Sequence, residues 1–291
     1  MSLRKGRRSS VSGWNEEVRE GRRFAFGENW TLFLRLLNEQ RIRGAEESLK
    51  EMLSTERLDG KAFLDAGSGS GLFSLAARRL GARVASFDYD PASVACAMEI
   101  RRRYCTGESQ WRIDQGSVLD QEFLNRLGKF DVVYSWGVLH HTGAMWEALD
   151  KLVDLVAPNG QLFIAIYNDQ GWASRLWKGV KRAYVRSPDP LKRLILIAAL
   201  VRLWAPTVVR DTLRGKPLRS WRTYASRPGG RGMDAWRDLV DWVGGYPFEV
   251  ATVETVVAFC KKRGLEVQRL NTCGDGLGCN EFVFVRSGAA D

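Results

Sequence analysis

The chain has 291 residues and a formal net charge of +10, with 45% apolar and 27% charged residues. This composition excludes a fibrous or wholly disordered protein, and the length fits one large α/β domain with an insertion. Five cysteines (Cys96, Cys105, Cys260, Cys273, Cys279) are too few and scattered for a disulfide scaffold, so a reducing cytoplasm is the expected compartment. The only histidines are the adjacent His140 and His141, which excludes a multi-histidine metal site. Cys273 and Cys279 lack two further zinc ligands, so no metal is expected.

In chain order, residues 1–13 (MSLRKGRRSSVSG) read as a disordered basic tail. No apolar run of about 7–15 residues follows, so no signal peptide is expected. Residues 14–60 form an N-terminal helical segment, with helical spacing over 16–26 and 32–52. Residues 61–66 are a short buried-strand run that enters the glycine-rich stretch Gly67-Ser68-Gly69-Ser70-Gly71. A helix over 72–80, closed by Gly81, and a strand over 82–87 ending at Asp88 follow. Asp90-Pro91 opens another helix, since proline suits the first helical turn. Strands are expected over 110–113, 130–136 and 161–167, with a helix over 144–156 and a turn at Pro158-Asn159-Gly160. Alternation of strand and helix with short connections is the signature of a parallel sheet covered on both faces.

The alternation stops at Asn168. Residues 168–247 read as a helical insertion after the fifth strand, rich in tryptophan and basic side chains. From residue 172 to 231 there are 15 Lys or Arg against two acids, Asp189 and Asp211, which leaves the rest of the chain slightly acidic. Such a segment attracts phosphate, an acidic substrate or an anionic membrane. The longest apolar run, 194–201, is too short to span a bilayer. Lys192, Arg193 and Arg202 do not share one helical face, which argues against a simple interfacial helix. Residues 248–287 return to the core, with a helix over 253–263 and two closing strands, 265–270 and 281–286. Their short glycine-rich connection makes those two antiparallel neighbours.

The turn Gly67–Gly71 does not fit the dinucleotide fingerprint G-x-G-x-x-G, because Leu72 occupies the third glycine position. Asp65, two residues ahead of it, would repel a pyrophosphate but suits a ligand carrying an ammonium group. Asp88, at the end of the second strand, can accept hydrogen bonds from ribose hydroxyls. A nucleoside without phosphates that carries an amino acid meets both demands, as S-adenosylmethionine does.

The run Phe63-Leu64-Asp65-Ala66-Gly67-Ser68-Gly69-Ser70-Gly71, followed by Asp88, resembles the cofactor core of class I S-adenosylmethionine-dependent methyltransferases. Residues 130–141, ending in Trp136-Gly137-Val138-Leu139-His140-His141, resemble their fourth strand in the ubiquinone and menaquinone biosynthesis branch. Residues 152–163 resemble the helix-turn-strand that follows. The resemblance covers 60–168 closely and the last 40 residues loosely. It implies an α/β, doubly wound, Rossmann-like, mostly parallel seven-stranded sheet with N-terminal helices and an insertion after strand five. It also implies that Asp65 and Gly67, Gly69 and Gly71 hold the methionine end and that Asp88, with Tyr89 beside it, holds the ribose. Ser117 and Val118 would contact adenine, and Trp136 would lie beneath the cofactor.

Methyl transfer from a sulfonium needs no metal, only an aligned nucleophile. An oxygen nucleophile also needs its proton removed, and histidine is the natural base. His141, or else His140, is the candidate, since adjacent strand residues point to opposite sides. Tyr167 and Asn168, at the end of strand five, are candidates for orienting substrate. Phe26 and Trp30 sit in an aromatic N-terminal stretch suited to a lid, and the insertion suits an acceptor-side cap. The expected function is methylation of a small-molecule hydroxyl on a quinol, phenol or sugar. The alternatives are a lipid-linked or membrane-associated acceptor, a nucleic acid, or a use of the sulfonium other than methyl transfer. Nucleic acid is disfavoured, because no Asn-Pro-Pro-Tyr-like block follows strand four and no RNA-binding module is recognisable. The expected location is cytoplasmic, with peripheral contact to an anionic membrane through 172–231 as a further expectation.

Overall fold

A computed structural model of the chain describes residues 10–27, 30, 34, 37–105, 110–224, 234–274 and 276–288. Helix α1 (Ser10–Arg19) begins inside the stretch expected to be a tail, while residues 1–9 lie outside the described residues. A docking contact explains the difference. Gly13 sits so close to the Tyr89 hydroxyl that a Cβ there would lie 2.9 Å from it. Composition cannot reveal such a contact. The helix expected to reach residue 26 ends at Arg19, and Gly21 turns the chain with φ +62. Helix α2 (Glu39–Leu53) is capped by Asn38, whose side chain accepts from Arg41 N at 3.0 Å. It buries Ile42, Ala45, Leu49 and Met52 along one face.

Strand and helix then alternate as β1 (Ala62–Ala66), α3 (Leu72–Arg79), β2 (Arg83–Asp88), α4 (Pro91–Tyr104) and β3 (Trp111–Gln115). They continue as α5 (Gln121–Asn125), β4 (Phe130–Trp136), α6 (Met145–Val153) and β5 (Val156–Tyr167). Asp90 caps α4 by accepting from Ala92 N, and Pro91 takes the first helical position. The chain closes with α11 (Val253–Lys261), β6 (Leu265–Asn271) and β7 (Cys279–Arg286). The seven-stranded sheet has the order β3-β2-β1-β4-β5-β7-β6. β1 to β5 run parallel, and β7 is antiparallel to both β5 and β6, as the short β6–β7 connection requires.

Successive strand residues serve opposite cores. Phe63, Val132 and Phe163 face the layer of α2, α3 and α4, while Leu64, Val133 and Ile164 face the layer of α6 and α11. The turn expected at Pro158-Asn159-Gly160 lies inside β5 as an irregularity. The strand starts at Val156 paired with Phe130, the register then shifts, and Asn159 takes φ +58.

Between β5 and α11 lie α7 (Trp172–Arg186), α8 (Asp189–Leu213), α9 (Arg219–Arg222) and α10 (Ala235–Gly244). The inner sides of α7, α8 and α10 share a small core of Tyr184, Leu196, Ala199, Leu239 and Val243. Among the described residues no helix is long and apolar enough to cross a membrane.

The strand-to-helix turn after β1 is the tightest constraint in the sheet. Gly71 has φ +84, and a Cβ there would lie 2.9 Å from Ala97 Cα and Cβ. Gly60 has φ +68 with nothing within 4 Å. Gly71→Ala is therefore expected to lower the unfolding free energy by about 2–5 kcal/mol, from backbone strain plus overpacking. Gly60→Ala is expected to cost about 1–2 kcal/mol, from strain alone. Urea titration compares them, and equal losses would show that the Ala97 contact yields without cost.

Candidate functional site

The sheet order reverses between β1 and β4, and open α/β sheets bind ligands beyond the carboxyl ends of the strands at such a point. A cavity of about 470 Å³ opens there. Its floor is the glycine turn with the ends of β2 and β4, and its roof is the N-terminal segment. Helices α8 and α10 close the side. Its size lies in the range of small-molecule sites.

Asp65 is buried beneath the turn and accepts a hydrogen bond from Ser74 Oγ at 2.6 Å. It is not part of the cavity wall, so it braces the bend rather than facing a ligand, contrary to the expectation for its carboxylate. Gly67 and Gly69 do line the cavity, and Gly71 sits behind it. A Cβ on Gly67 would come within 2.4 Å of Val138 Cγ1, and one on Gly69 would lie 3.1 Å from the Trp30 indole. The N–H groups of Gly67 and Ser68 both donate to Phe87 O, which ties the turn to β2. Ser68 lines the cavity, and its Oγ is buried with no hydrogen-bond partner among the described residues. An orphaned hydroxyl at a ligand-sized opening fits a polar group supplied from outside.

Asp88 ends β2 at the cavity wall. Its two oxygens accept from Gly69 N at 2.8 Å and Asp90 N at 2.9 Å. Burial pushes its carboxyl up to about 6, against the pull of these two donors. Each oxygen keeps a second lone pair, so a ligand diol can still be received. Tyr89, Ser117, Val118 and Trp136 also line the cavity. Ser117 Oγ already accepts from Leu119 N at 3.2 Å, and Trp136 Nε1 donates to Glu281 Oε1 at 2.6 Å.

The N-terminal segment is pinned across the opening. Arg23 stacks over Tyr89 at 5.2 Å, donates to His141 O at 2.9 Å and pairs with Glu17 at 2.7 Å. Gly27 N donates to Asp90 Oδ2 at 2.7 Å, and burial raises the Asp90 carboxyl. Phe26 packs against the His141 ring at 4.9 Å.

The two histidines have different surroundings. His140 is fully buried and outside the cavity wall. Its Nδ1 accepts from Tyr167 N at 3.3 Å, and its ring stacks on Tyr167 at 3.9 Å. It packs at the end of β5, away from the cavity wall. His141 lines the cavity and donates from Nδ1 to Pro247 O at 2.7 Å, which leaves the lone pair on Nε2. Burial pulls its proton affinity down to about 3, helped by nearby Lys181 and Arg23 and only partly offset by the Pro247 bond. Such an imidazole is neutral and a weak base, contrary to the expectation of a base near neutrality. Tyr167 lines the cavity. Asn168 does not. It donates to Gly274 O at 3.0 Å and accepts from Asn280 Nδ2 at 3.1 Å, joining β5 to the β6–β7 loop.

The insertion contributes Leu203, Trp204, Asp238, Leu239, Asp241 and Trp242 to the wall. The charged residues among these are acids, not the basic residues that dominate its composition, and the Asp238 carboxylate accepts from the Tyr224 hydroxyl at 2.5 Å. Trp242 Nε1 is buried with no partner among the described residues. Behind this wall the fully buried Lys181 sits 4.2 Å from the Trp242 ring and 4.7 Å from the Phe248 ring, and its ammonium bonds Trp242 O. Burial pulls Lys181 down to about 7. Asp238, Asp241 and Lys181 carry no motif in the sequence, and Asp90 reads there only as the start of a helix. The acids at 234, 238 and 241, spaced by helical turns after a long basic run, were the available signal. Lys181 had none among its basic neighbours.

Residues 37–204, more than half of the chain, match the family described as a methyltransferase domain. A ubiquinone biosynthesis O-methyltransferase of Methylocella silvestris is 30% identical over 180 residues, which is 57% of this chain and 66% of that protein. The protein of the same name from Sinorhizobium medicae is 29% identical over 128 residues, 44% of this chain and 50% of that one. The chain thus spans between half and just under two-thirds of the length of these relatives. Among solved structures, magnesium protoporphyrin IX methyltransferase of Synechocystis PCC 6803 with bound SAH aligns with TM-score 0.50 at 16% identity, over 89% of this chain and 94% of that one. PKMT2 of Rickettsia typhi in complex with AdoHcy aligns with TM-score 0.51 at 15% identity, over 84% and 52%. At these identities the two structures speak for the fold alone.

A histidine with a depressed folded-state pKa stabilises the fold above its unfolded value near 6.5, and that contribution is lost progressively as pH falls toward 3. In nitrogen-detected NMR His141 should therefore remain the neutral Nδ1–H tautomer from pH 7.5 to 5. A titration midpoint above 6 would contradict the burial argument.

Proposed function

The chain belongs to the methyltransferase-domain family, within the class I S-adenosylmethionine-dependent enzymes, and we propose that it methylates a hydroxyl oxygen of a small aromatic acceptor of the quinol or phenol type. The observation that carries this reading is the pairing, at one sheet edge, of an orphaned Ser68 hydroxyl on the glycine turn with the Asp88 carboxylate. The residues present fit the cofactor. Asp88 would accept from the ribose hydroxyls, Ser68 would serve the amino-acid end, and Ser117, Val118 and Leu119 would border the adenine. When bound, S-adenosylmethionine supplies an electrophilic methyl group that needs no metal activation.

The chain's own task is to place and seal. Trp30 covers the glycine turn, and Phe26 and Arg23 hold the N-terminal segment across the opening, which excludes water. Trp136, Tyr167, Trp204 and Trp242 offer flat apolar faces to an aromatic ring. The unpartnered Trp242 N–H suits an acceptor oxygen, and His141 Nε2 accepts from the hydroxyl to be methylated. With its low proton affinity, His141 orients that hydroxyl, and the proton released as the O–CH3 bond forms passes to solvent. The helices after β5 act as the acceptor-side cap. Their acidic inner wall opposes a phosphate-bearing acceptor, which weighs against nucleic acid. The relatives named for ubiquinone biosynthesis support a quinol-type oxygen.

Two measurements test this reading. The ionised form of Asp88 is the better acceptor for two hydroxyls, and its folded pKa is about 6. Calorimetric affinity for S-adenosylhomocysteine should rise from pH 5 to 7, and Asp88→Asn should weaken it by roughly tenfold or more and flatten the pH dependence. Unchanged affinity would remove Asp88 from the site. Incubation with S-adenosylmethionine and a catechol should yield the mono-methyl ether and S-adenosylhomocysteine in equal amounts. Consumption of the cofactor without a methylated product would point to another use of the sulfonium.

A further inference from the structure

Helix α8 has two dissimilar faces. The inner one buries Leu196 and Ala199 against Tyr184 and Leu239, and Leu203 and Trp204 line the cavity. The outer one carries an aliphatic stripe that no element covers among the described residues. Leu194, Ile197 and Val201 are 62%, 54% and 59% exposed on one face, and Val209 and Leu213, beyond Pro206, are exposed on the flank that Arg202 occupies. On the neighbouring α7, Trp172 and Leu176, one helical turn apart, are 68% and 57% exposed. Soluble surfaces rarely leave large apolar side chains in such a continuous row.

The charges complete the pattern. At about 100° per residue, Arg193 and Arg202 fall about 90° to either side of the Leu194–Val201 stripe, and both are exposed. Their failure to share one face, taken from the sequence as evidence against an interfacial helix, is the arrangement such a helix needs. The apolar row enters the acyl boundary, and long basic side chains on its flanks reach the headgroups. Of the two acids among residues 172–231, Asp211 is buried and bonded to Ser220, so Asp189 is the one exposed on this surface.

We propose that the outer face of α7 and α8 binds the surface of an anionic bilayer. The stripe favours this occupant over a protein. It is a convex row running about 10 Å, at 1.5 Å per residue over residues 194–201. It is aliphatic, whereas protein hot spots favour tyrosine, tryptophan and arginine around a pocket. Its flanks carry one sign of charge, which complements phosphate headgroups. The cavity wall and this surface are two sides of one helix, so a bilayer-bound protein would hold its acceptor cavity within a helix diameter of the lipid. This surface goes beyond the proposed reaction and stands or falls without it.

Vesicle flotation of the full chain tests it. The protein is expected to float with vesicles of equal phosphatidylglycerol and phosphatidylcholine, and at least tenfold less with phosphatidylcholine alone. The triple variant Leu194→Asp/Ile197→Asp/Val201→Asp should lose flotation at least tenfold while keeping its thermal melting temperature. Arg193→Glu/Arg202→Glu should weaken it with the stripe intact. Three results would overturn the proposal. They are absence of flotation by the wild type, undiminished flotation by the triple aspartate variant, and a wild-type dimer in light scattering that the triple variant turns into a monomer. The last would assign the stripe to a second copy of the chain.

Discussion

The site depends on the close approach of backbone at one bend. β1 is buried on both faces and must pass its chain to α3 within a few residues, directly against β2, β4 and α4. Val138 leaves no space for a Cβ at Gly67, and Ala97 leaves none at Gly71. Each of these glycines also takes a positive φ. The hydrogen bond between Asp65 and Ser74 locks the bend from below, and the two amides donating to Phe87 O lock it from the side. With the backbone so committed, Ser68 Oγ and the end of β2 are held at the opening without freedom to collapse into it. Preorganisation of this kind lets a ligand bind without an ordering cost.

Around that bend the protein spends its polar groups unevenly. Asp88, His141 and Lys181 have each lost solvation and each moves toward its neutral form. In this environment the His141 imidazole stays neutral, while the Asp88 carboxyl, at about 6, and the Lys181 ammonium, at about 7, change charge within reach of physiological pH. The N-terminal segment contributes to the same economy. Arg23 bridges Glu17, Tyr89 and the His141 carbonyl, so the roof is fixed to both ends of the opening.

The helices after β5 separate their chemistry by face. Along the cavity they place aromatic residues with Asp238 and Asp241. Outward they present arginines, lysines and an aliphatic row. A net charge summed over the segment averages these two surfaces, and neither has the character of the average.

Much of the core was legible from local pattern. Short apolar runs ending at Gly67–Gly71 and at Asp88, with helical spacing between them, specify strand, turn and helix through backbone geometry that nearest neighbours control. The antiparallel closure of β6 and β7 follows from the length of their connection. By itself the sequence thus determined the sheet class, the position of the glycine turn, and Asp88 at its rim. Tertiary structure alone decided which polar groups face the opening. Asp65 turned beneath the bend, His140 turned into the strand layer, and Asn168 turned to the β6–β7 loop, while Asp238 and Asp241 came to border the cavity. Proton affinities were decided there as well, since desolvation depends on what packs around a group and not on its neighbours in the chain. The facing of α8 belongs to the same category, because a helix acquires an inside and an outside only once other helices cover one of its sides.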